Sequence, residues 1–248
     1  MEKEFTSQIE KTAKKFLEDS ENKDIQVISH FDTDGITAAT ILIQTLRKLD
    51  KNFSVKIVKS LEKEFIENLP KNKITIFLDL ASNSIHHIQE SQLQNVFIID
   101  HHEITQEIPE FINILNPQIT TNQKISGSSL TYLFCRILNP KSKDLAKLAI
   151  LGMIGDQLEK EVDTLNNGIL EEGEIKRKRG VLIYPSTRPL NRVLEFCSNP
   201  YIPGVTGDIK GVLELLREMG LSPQGGKYKS LIELDDDEME KLVTAIML

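Results

Sequence analysis

Carboxylates and imidazoles gather in four short stretches of this sequence. These are His30, Asp32 and Asp34 in HFDTDG, Asp79 at the end of ITIFLDL, Asp100-His101-His102 after NVFII, and Asp156 in GMIGD. Mixed Asp and His ligands suit Mn²⁺, and also Zn²⁺, Fe²⁺ or Co²⁺. The set holds more ligands than one ion needs. Two ions about 3.5–4 Å apart, bridged by one carboxylate, would use the surplus; such a pair activates a water and clamps a phosphoryl oxygen. Gly35 is read as the residue that lets the chain turn sharply into a helix whose N-terminus faces an anion. A lone Asp at a strand end is ordinarily a cap or turn residue, and a lone His is ordinarily structural. H-x-D-x-D-G, a strand-ending Asp and D-H-H together are not explained by those ordinary uses.

Residues so far apart in sequence can meet only if the fold brings them to one edge. Asp24–Ser29, Phe53–Val58, Ile74–Leu80 and Asn95–Ile99 read as strands, and Ile112–Leu115 as a fifth. Helical stretches at Phe5–Glu18, Ile36–Leu49 and Glu62–Leu69 alternate with them, the first with a Ser7/Glu10 capping box. This alternation predicts an α/β fold, doubly wound around a mainly parallel sheet. Ligands in such sheets bind beyond the carboxyl ends of the strands, and that is where the acids and histidines fall. After Gly127 the pattern turns helical, at Ser128–Leu138, Ser142–Ile154, Asp163–Ile175, Pro189–Ser198, Ile209–Met219 and Asp236–Met247. The last helix has Asp235 as N-cap with Glu238 three residues on. The expected organisation is a catalytic α/β domain over residues 1–160 and a mostly helical extension over 161–248.

The 248 residues, 40% hydrophobic and 27% charged, exclude a disordered or collagen-like chain. No apolar run reaches the length of a membrane span, the N-terminus is charged, and the two cysteines make no disulfide framework; the reading is a cytoplasmic protein. A net charge of −7 argues against nucleic-acid binding through bulk positive charge, but not against an anionic substrate held through metal ions.

HFDTDG, FLDLAS, IIDHHE and LGMIGD resemble motifs one to four of the DHH phosphoesterase superfamily, over roughly residues 25–160. The resemblance implies the family's Rossmann-like fold and two divalent ions, manganese first, magnesium or cobalt otherwise. It implies that His30, Asp32 and Asp79 hold one ion and that Asp34, Asp79, His101 and Asp156 hold the other, with Asp79 bridging. It implies that His102 faces the scissile phosphate and that Asp100 orients the neighbouring histidine, so that His102, Asp100 and Asp79 form the catalytic set. TRPLNRVLEFCSNPYIPGVTGD resembles more narrowly the archaeal RecJ-like proteins, including the nuclease associated with the replisome factor GINS. The expected activity is exonucleolytic hydrolysis of single-stranded DNA or RNA. The alternatives are a phosphoesterase of short oligonucleotides or cyclic dinucleotides, and a replisome scaffold that partners a GINS-like factor. DHH enzymes usually carry a C-terminal substrate domain with a Gly-Gly-Gly-His-type motif. Gly225-Gly226-Lys227 matches it poorly, so the chain reads as lacking that domain.

Other residues are weaker candidates. Ser126-Gly127-Ser128 opens a helix and could offer backbone N–H groups to a phosphate or simply cap the helix. Arg188 and Arg192, one turn apart, could grip phosphates or pair with acids such as Glu195. The Lys176–Arg179 run could touch a nucleic-acid backbone or form a solvated face. His86-His87 read as surface positions on a helix.

Overall fold

A computed structural model of the chain describes residues 2–247 apart from 122, 159–161, 178, 179, 182, 184 and 224. It forms two compact units, Met1–Lys176 and Arg177–Leu248.

The first unit is built on five parallel strands: β1 (Ile25–His30), β2 (Phe53–Val58), β3 (Ile74–Leu78), β4 (Val96–Ile99) and β5 (Ile112–Leu115), in the order β2-β1-β3-β4-β5. The apolar runs alternate between two buried faces. Val27, Ile76 and Phe97 point to one core, while Ile28, Phe77 and Ile98 point to the other. α1 (Glu2–Asp19), α2 (Thr33–Lys48), α5 (Gly127–Leu138), α6 (Ala146–Gly155) and α7 (Thr164–Glu172) contribute to the first core. α3 (Lys63–Glu67) and α4 (Ile85–Glu90) contribute to the second. The sheet is therefore doubly wound, with β3 at its centre.

Several local expectations change. Phe5 is fully buried, and only a helix that starts before it can bring Phe5, Ile9, Ala13 and Phe16 onto one face. Ser7 and Glu10 therefore lie inside α1 and form no capping box. Residues 140–145 are a 3-10 stretch preceding α6, because the Asn139 side chain accepts from the Lys141 N–H and Ser142 bonds to Thr45 at 2.8 Å. Ile169 and Leu170 of α7 are buried in the core of the first unit, which runs to Lys176.

α7 is fastened to α5 through Glu172. Its carboxylate accepts from Arg136 Nε and Nη2, both at 3.0 Å, and from the buried Tyr132 hydroxyl. Burial first, then the Glu172 carboxylate, pushes the Tyr132 phenol well above its ordinary pKa. Glu172→Ala strands the buried hydroxyl and the guanidinium, at a cost of about 2–4 kcal/mol. Thermal unfolding of the variant should show a midpoint lower by roughly 5–10 °C; a midpoint within about 1 °C of wild type would show that this link contributes nothing.

The second unit has its own apolar core, formed by α8 (Leu190–Phe196), α9 (Ile209–Glu218), α10 (Asp236–Met247) and the segments between them, with Leu194, Val212 and Leu242 at its centre. α10 opens as expected: Asp235 Oδ1 accepts from the Glu238 N–H and Glu238 Oε2 accepts from the Asp235 N–H, both at 2.9 Å. Both cysteines are buried and free. Among the described residues no helix is long and apolar enough to cross a membrane.

Candidate metal centre

The carboxyl edge of the sheet collects the acids and histidines. β1 ends at His30, and the chain then enters α2 through Asp32, whose Oδ1 caps the helix by accepting from the Gly35 N–H at 2.9 Å. Oδ2 of the same Asp is left to lie 2.8 Å from His30 Nδ1. β3 stops at Leu78 because Asp79 takes a left-handed backbone (φ 56°), which Asp tolerates better than most residues and which ends the ladder. β4 leads into Asp100-His101-His102, and Asp156 follows α6.

Three sets of side chains each bring one ligand atom per residue to within 4.8 Å of one another: His30, Asp32 and Asp79; Asp34, His101 and Asp156; Asp79, His101 and His102. Asp79 stands between the first two sets. Its Oδ2 is 3.6 Å from His30 Nδ1, and its Oδ1 is 3.2 Å from His101 Nε2. His101 Nε2 is also 3.2 Å from Asp156 Oδ2 and 3.9 Å from Asp34 Oδ2. Ligand atoms about 2.1 Å from a shared ion and about 90–110° apart lie about 3.0–3.4 Å from each other, close to these separations.

The polar bookkeeping supports the same fit. Among the described residues, both Asp79 oxygens, His30 Nδ1 and Asp156 Oδ2 are buried without a hydrogen bond. His30 Nδ1 makes none even to Asp32 Oδ2, so the two atoms converge on a common point instead of bonding to each other. Burial, then the charges of Asp34, Asp32 and Asp100, pushes the Asp79 carboxyl up to about 10. Burial and the Asp34 charge likewise push Asp156 up to about 6. Acids buried this closely are kept either by holding protons or by binding cations, and the donor set of Asp and His side chains fits divalent ions.

Asp34 is held differently. Its Oδ2 accepts from the Gly127 N–H at 2.5 Å and its Oδ1 from the Ser128 N–H at 3.0 Å, while Ser126 Oγ caps α5 by accepting from the Ser129 N–H. The amides that could have faced a phosphate therefore face a carboxylate, and Ser126, Gly127 and Ser128 are buried. Gly152 belongs to the same cradle: a Cβ there would lie 2.5 Å from Asp34 Oδ1 and 2.0 Å from Ser128 Oγ. Gly35 makes no turn. It is helical, within the first turn of α2, and a Cβ on it would meet the His30 carbonyl oxygen at 2.5 Å. It serves close approach of α2 to β1.

The profile of the DHH family, N-terminal domain, matches residues 24–153, more than half of the chain. The chain belongs to the DHH family. The profile of the DHH-CID domain matches residues 183–248. The uncharacterized protein MJ0831 of Methanocaldococcus jannaschii is 32% identical over 238 residues, which cover 90% of this chain and 53% of that protein. The chain thus spans about half the length of this curated relative. Among solved structures, CDC45 from Entamoeba histolytica aligns with a TM-score of 0.65 at 15% identity, over 95% of this chain and 56% of that one. Exonuclease RecJ bound to manganese aligns at 0.57 and 18%, over 96% and 63%. RecJ in complex with Mn²⁺ from Thermus thermophilus aligns at 0.55 and 19%, over 97% and 35%. At these identities the likeness is one of fold.

The DHH segment itself is tied down by Asp100 and by three residues the sequence left without a role, Ser82, Asn116 and Gln118. Asp100 is fully buried; its Oδ1 lies 2.7 Å from His102 Nδ1 and accepts from the His101 N–H, while its Oδ2 accepts from the Ser82 N–H at 2.9 Å. Burial alone would raise the Asp100 pKa, but the hydrogen bonds from His102 and Ser82 and the His102 charge outweigh it and bring it down to about 2. Asn116 Nδ2 donates to the His102 carbonyl at 2.8 Å and to Ser82 Oγ at 3.0 Å, and Gln118 Nε2 donates to the His101 carbonyl at 3.2 Å. Asn116 follows β5 directly, so the strand-end signal that marks the acids would also have found it.

The weaker candidates belong to other segments of the chain. Arg188 and Arg192 belong to the second unit, where Arg192 pairs with Glu195 at 2.9 Å. Lys178 and Arg179 lie outside the described residues. His86 and His87 sit on α4 with ring centroids 3.7 Å apart, and His86 Nδ1 is bonded to Gln106 at 2.8 Å.

Proposed function

We propose that the chain is a manganese-dependent phosphodiesterase, with single-stranded DNA or RNA as substrate and exonucleolytic release of nucleotides as its action. The observation that carries this reading is the position of Asp79: fully buried, both oxygens without hydrogen bonds, one turned toward His30 and the other toward His101. His30, Asp32 and Asp79 would hold one divalent ion, and Asp34, Asp79, His101 and Asp156 the other. When bound, such a pair lowers the pKa of water and neutralises charge on a phosphoryl group. The protein's own part is to hold the donors rigidly. Asp32 is fixed by its cap on α2, Asp34 by the amides of Gly127 and Ser128, and the histidine loop by Asp100. His102 Nδ1 is committed to Asp100, which leaves Nε2 as the free nitrogen of a half-exposed ring to meet the scissile phosphate.

The resemblance of residues 187–208 to archaeal RecJ-like proteins supports the nucleic-acid substrate and, with it, a GINS-like partner. The test is a product ladder from end-labelled single-stranded DNA and RNA of several lengths, read from each end. Protein stripped with a chelator should be inert and should release mononucleotides once Mn²⁺ is restored. Saturable Mn²⁺ binding with no hydrolysis of any of these substrates would overturn the enzymatic reading and leave the scaffold.

A further inference from the structure

Beside the metal centre, within the first unit, lies a cavity of about 260 Å³ lined by His101, Pro117, Gln118, Thr121, Gln123, Lys124, Ile125 and Leu158. It shares one residue with the centre: His101 lines the cavity and belongs to two of the ligand sets. Pro117 and Ile125 give it buried apolar walls. Its loop is pinned from α7, where the fully buried Asn166 donates from Nδ2 to the Lys124 carbonyl at 2.8 Å.

The polar groups of this cavity are unequal. Gln118 Nε2 is committed to the His101 carbonyl, and Thr121 Oγ1 already accepts from the Gln123 N–H at 3.2 Å. Gln123 Oε1, by contrast, is buried and has no hydrogen-bond partner among the described residues. A buried acceptor without a donor is costly to keep and is satisfied by a ligand that brings an N–H. A phosphate or carboxylate brings none and so would not satisfy Gln123, although His101 and Lys124 line the same cavity. The volume lies just below the roughly 300–1,000 Å³ of sites for drug-sized ligands, which suits one nucleoside and not two. A flat, mostly apolar ring system with an exocyclic amine fits both the walls and the carboxamide, and pairing a carboxamide with adenine is an established mode of base recognition.

Resting on the phosphodiesterase reading, we propose that this cavity seats the base of the nucleotide next to the scissile phosphate, and that Gln123 reads its amino group, adenine foremost. Gln123 is then a specificity residue that contacts substrate away from the reacting atoms.

Calorimetry on the full chain in Mn²⁺ tests this without requiring turnover. AMP should bind about tenfold more tightly than purine riboside monophosphate, which lacks only the amine, as expected for one hydrogen bond. In Gln123→Leu the two should bind alike. Equal binding of the two ligands to wild type, or a tenfold preference that survives in Gln123→Leu, would overturn the proposal. Should Gln123→Leu fail to fold, photolabelling of wild type with 8-azido-AMP decides: label on Pro117, Gln118 or residues 123–125 supports the cavity, and label confined elsewhere refutes it. The two readings fail separately. Base-selective AMP binding without hydrolysis of any strand would sink the phosphodiesterase and leave the pocket. Hydrolysis without base selectivity in binding would do the reverse.

Discussion

Asp79→Asn will abolish hydrolysis, by a factor of about 10³ or more, and will make the metal-free chain more stable than wild type at neutral pH. The first effect follows from the position of Asp79 between the two ligand sets: loss of one carboxylate charge weakens both at once, and 10³ corresponds to only about 4 kcal/mol of transition-state stabilisation. The second follows from burial. Without metal, the Asp79 carboxyl is pushed up to about 10, whereas in the unfolded chain it titrates near the ordinary value of about 4. Between those two values the folded state holds a proton that the unfolded state has released, so stability falls as pH rises. The metal-free wild type should therefore be most stable in mild acid and lose of the order of 2–4 kcal/mol by pH 7. Asparagine does not titrate and escapes that loss. Thermal scans in chelator should show the variant melting roughly 5–10 °C above wild type at pH 7, with the gap closing toward pH 4. Mn²⁺ should raise the wild-type midpoint, and more so at pH 8 than at pH 6, because it replaces that proton. A variant no more stable than wild type at pH 7 in chelator would show that Asp79 carries no such burden.

This conflict between stability and function also explains what could be read from the sequence. The strands were visible because they are apolar and short, and the candidate ligands because polar residues at the ends of buried strands are expensive unless they are used. His30, Asp79 and Asp100 all carry that signature. The same signature at Asn116 had no charge to draw the eye, yet this residue holds the loop of His102. What was not legible depends on partners distant in sequence. Nothing near residue 127 says that its amide will meet Asp34, 93 positions away, and not a ligand. Gly152 is a glycine because of Asp34 and Ser128, which no local pattern reveals. Ser7 and Glu10 show the opposite error: a sound local motif overridden because Phe5 has to be helical to reach the core. The Asp235/Glu238 box survived because the ion pair that Glu238 also makes with Lys229 leaves both of its bonds in place.

On the proposed reading, His102 acts on substrate and does not hold metal. His102→Ala should keep the metal content of the chain and lower turnover by roughly 10² or more, the scale for removing one donor to a developing anion. The geometry argues for this division. His102 Nδ1 lies 2.7 Å from Asp100 Oδ1 and 4.0 Å from Asp79 Oδ1, so the nitrogen nearest the ligand set is already engaged by Asp100. The neighbouring His101 instead presents Nε2 at 3.2 Å to both Asp79 and Asp156. Asp100→Asn should behave differently from His102→Ala. Asp100 Oδ1 accepts from the backbone of His101 as well as lying against the His102 ring, and its Oδ2 accepts from Ser82, so weakening it loosens both histidines. That variant should lose 10–100-fold in Mn²⁺ affinity along with turnover, as partners of ligating residues commonly do. Metal analysis after dialysis, paired with single-turnover rates at saturating Mn²⁺, reads the two effects apart. If His102→Ala loses an ion, the third ligand set of Asp79, His101 and His102 is the one that binds, and His102 belongs with the ligands.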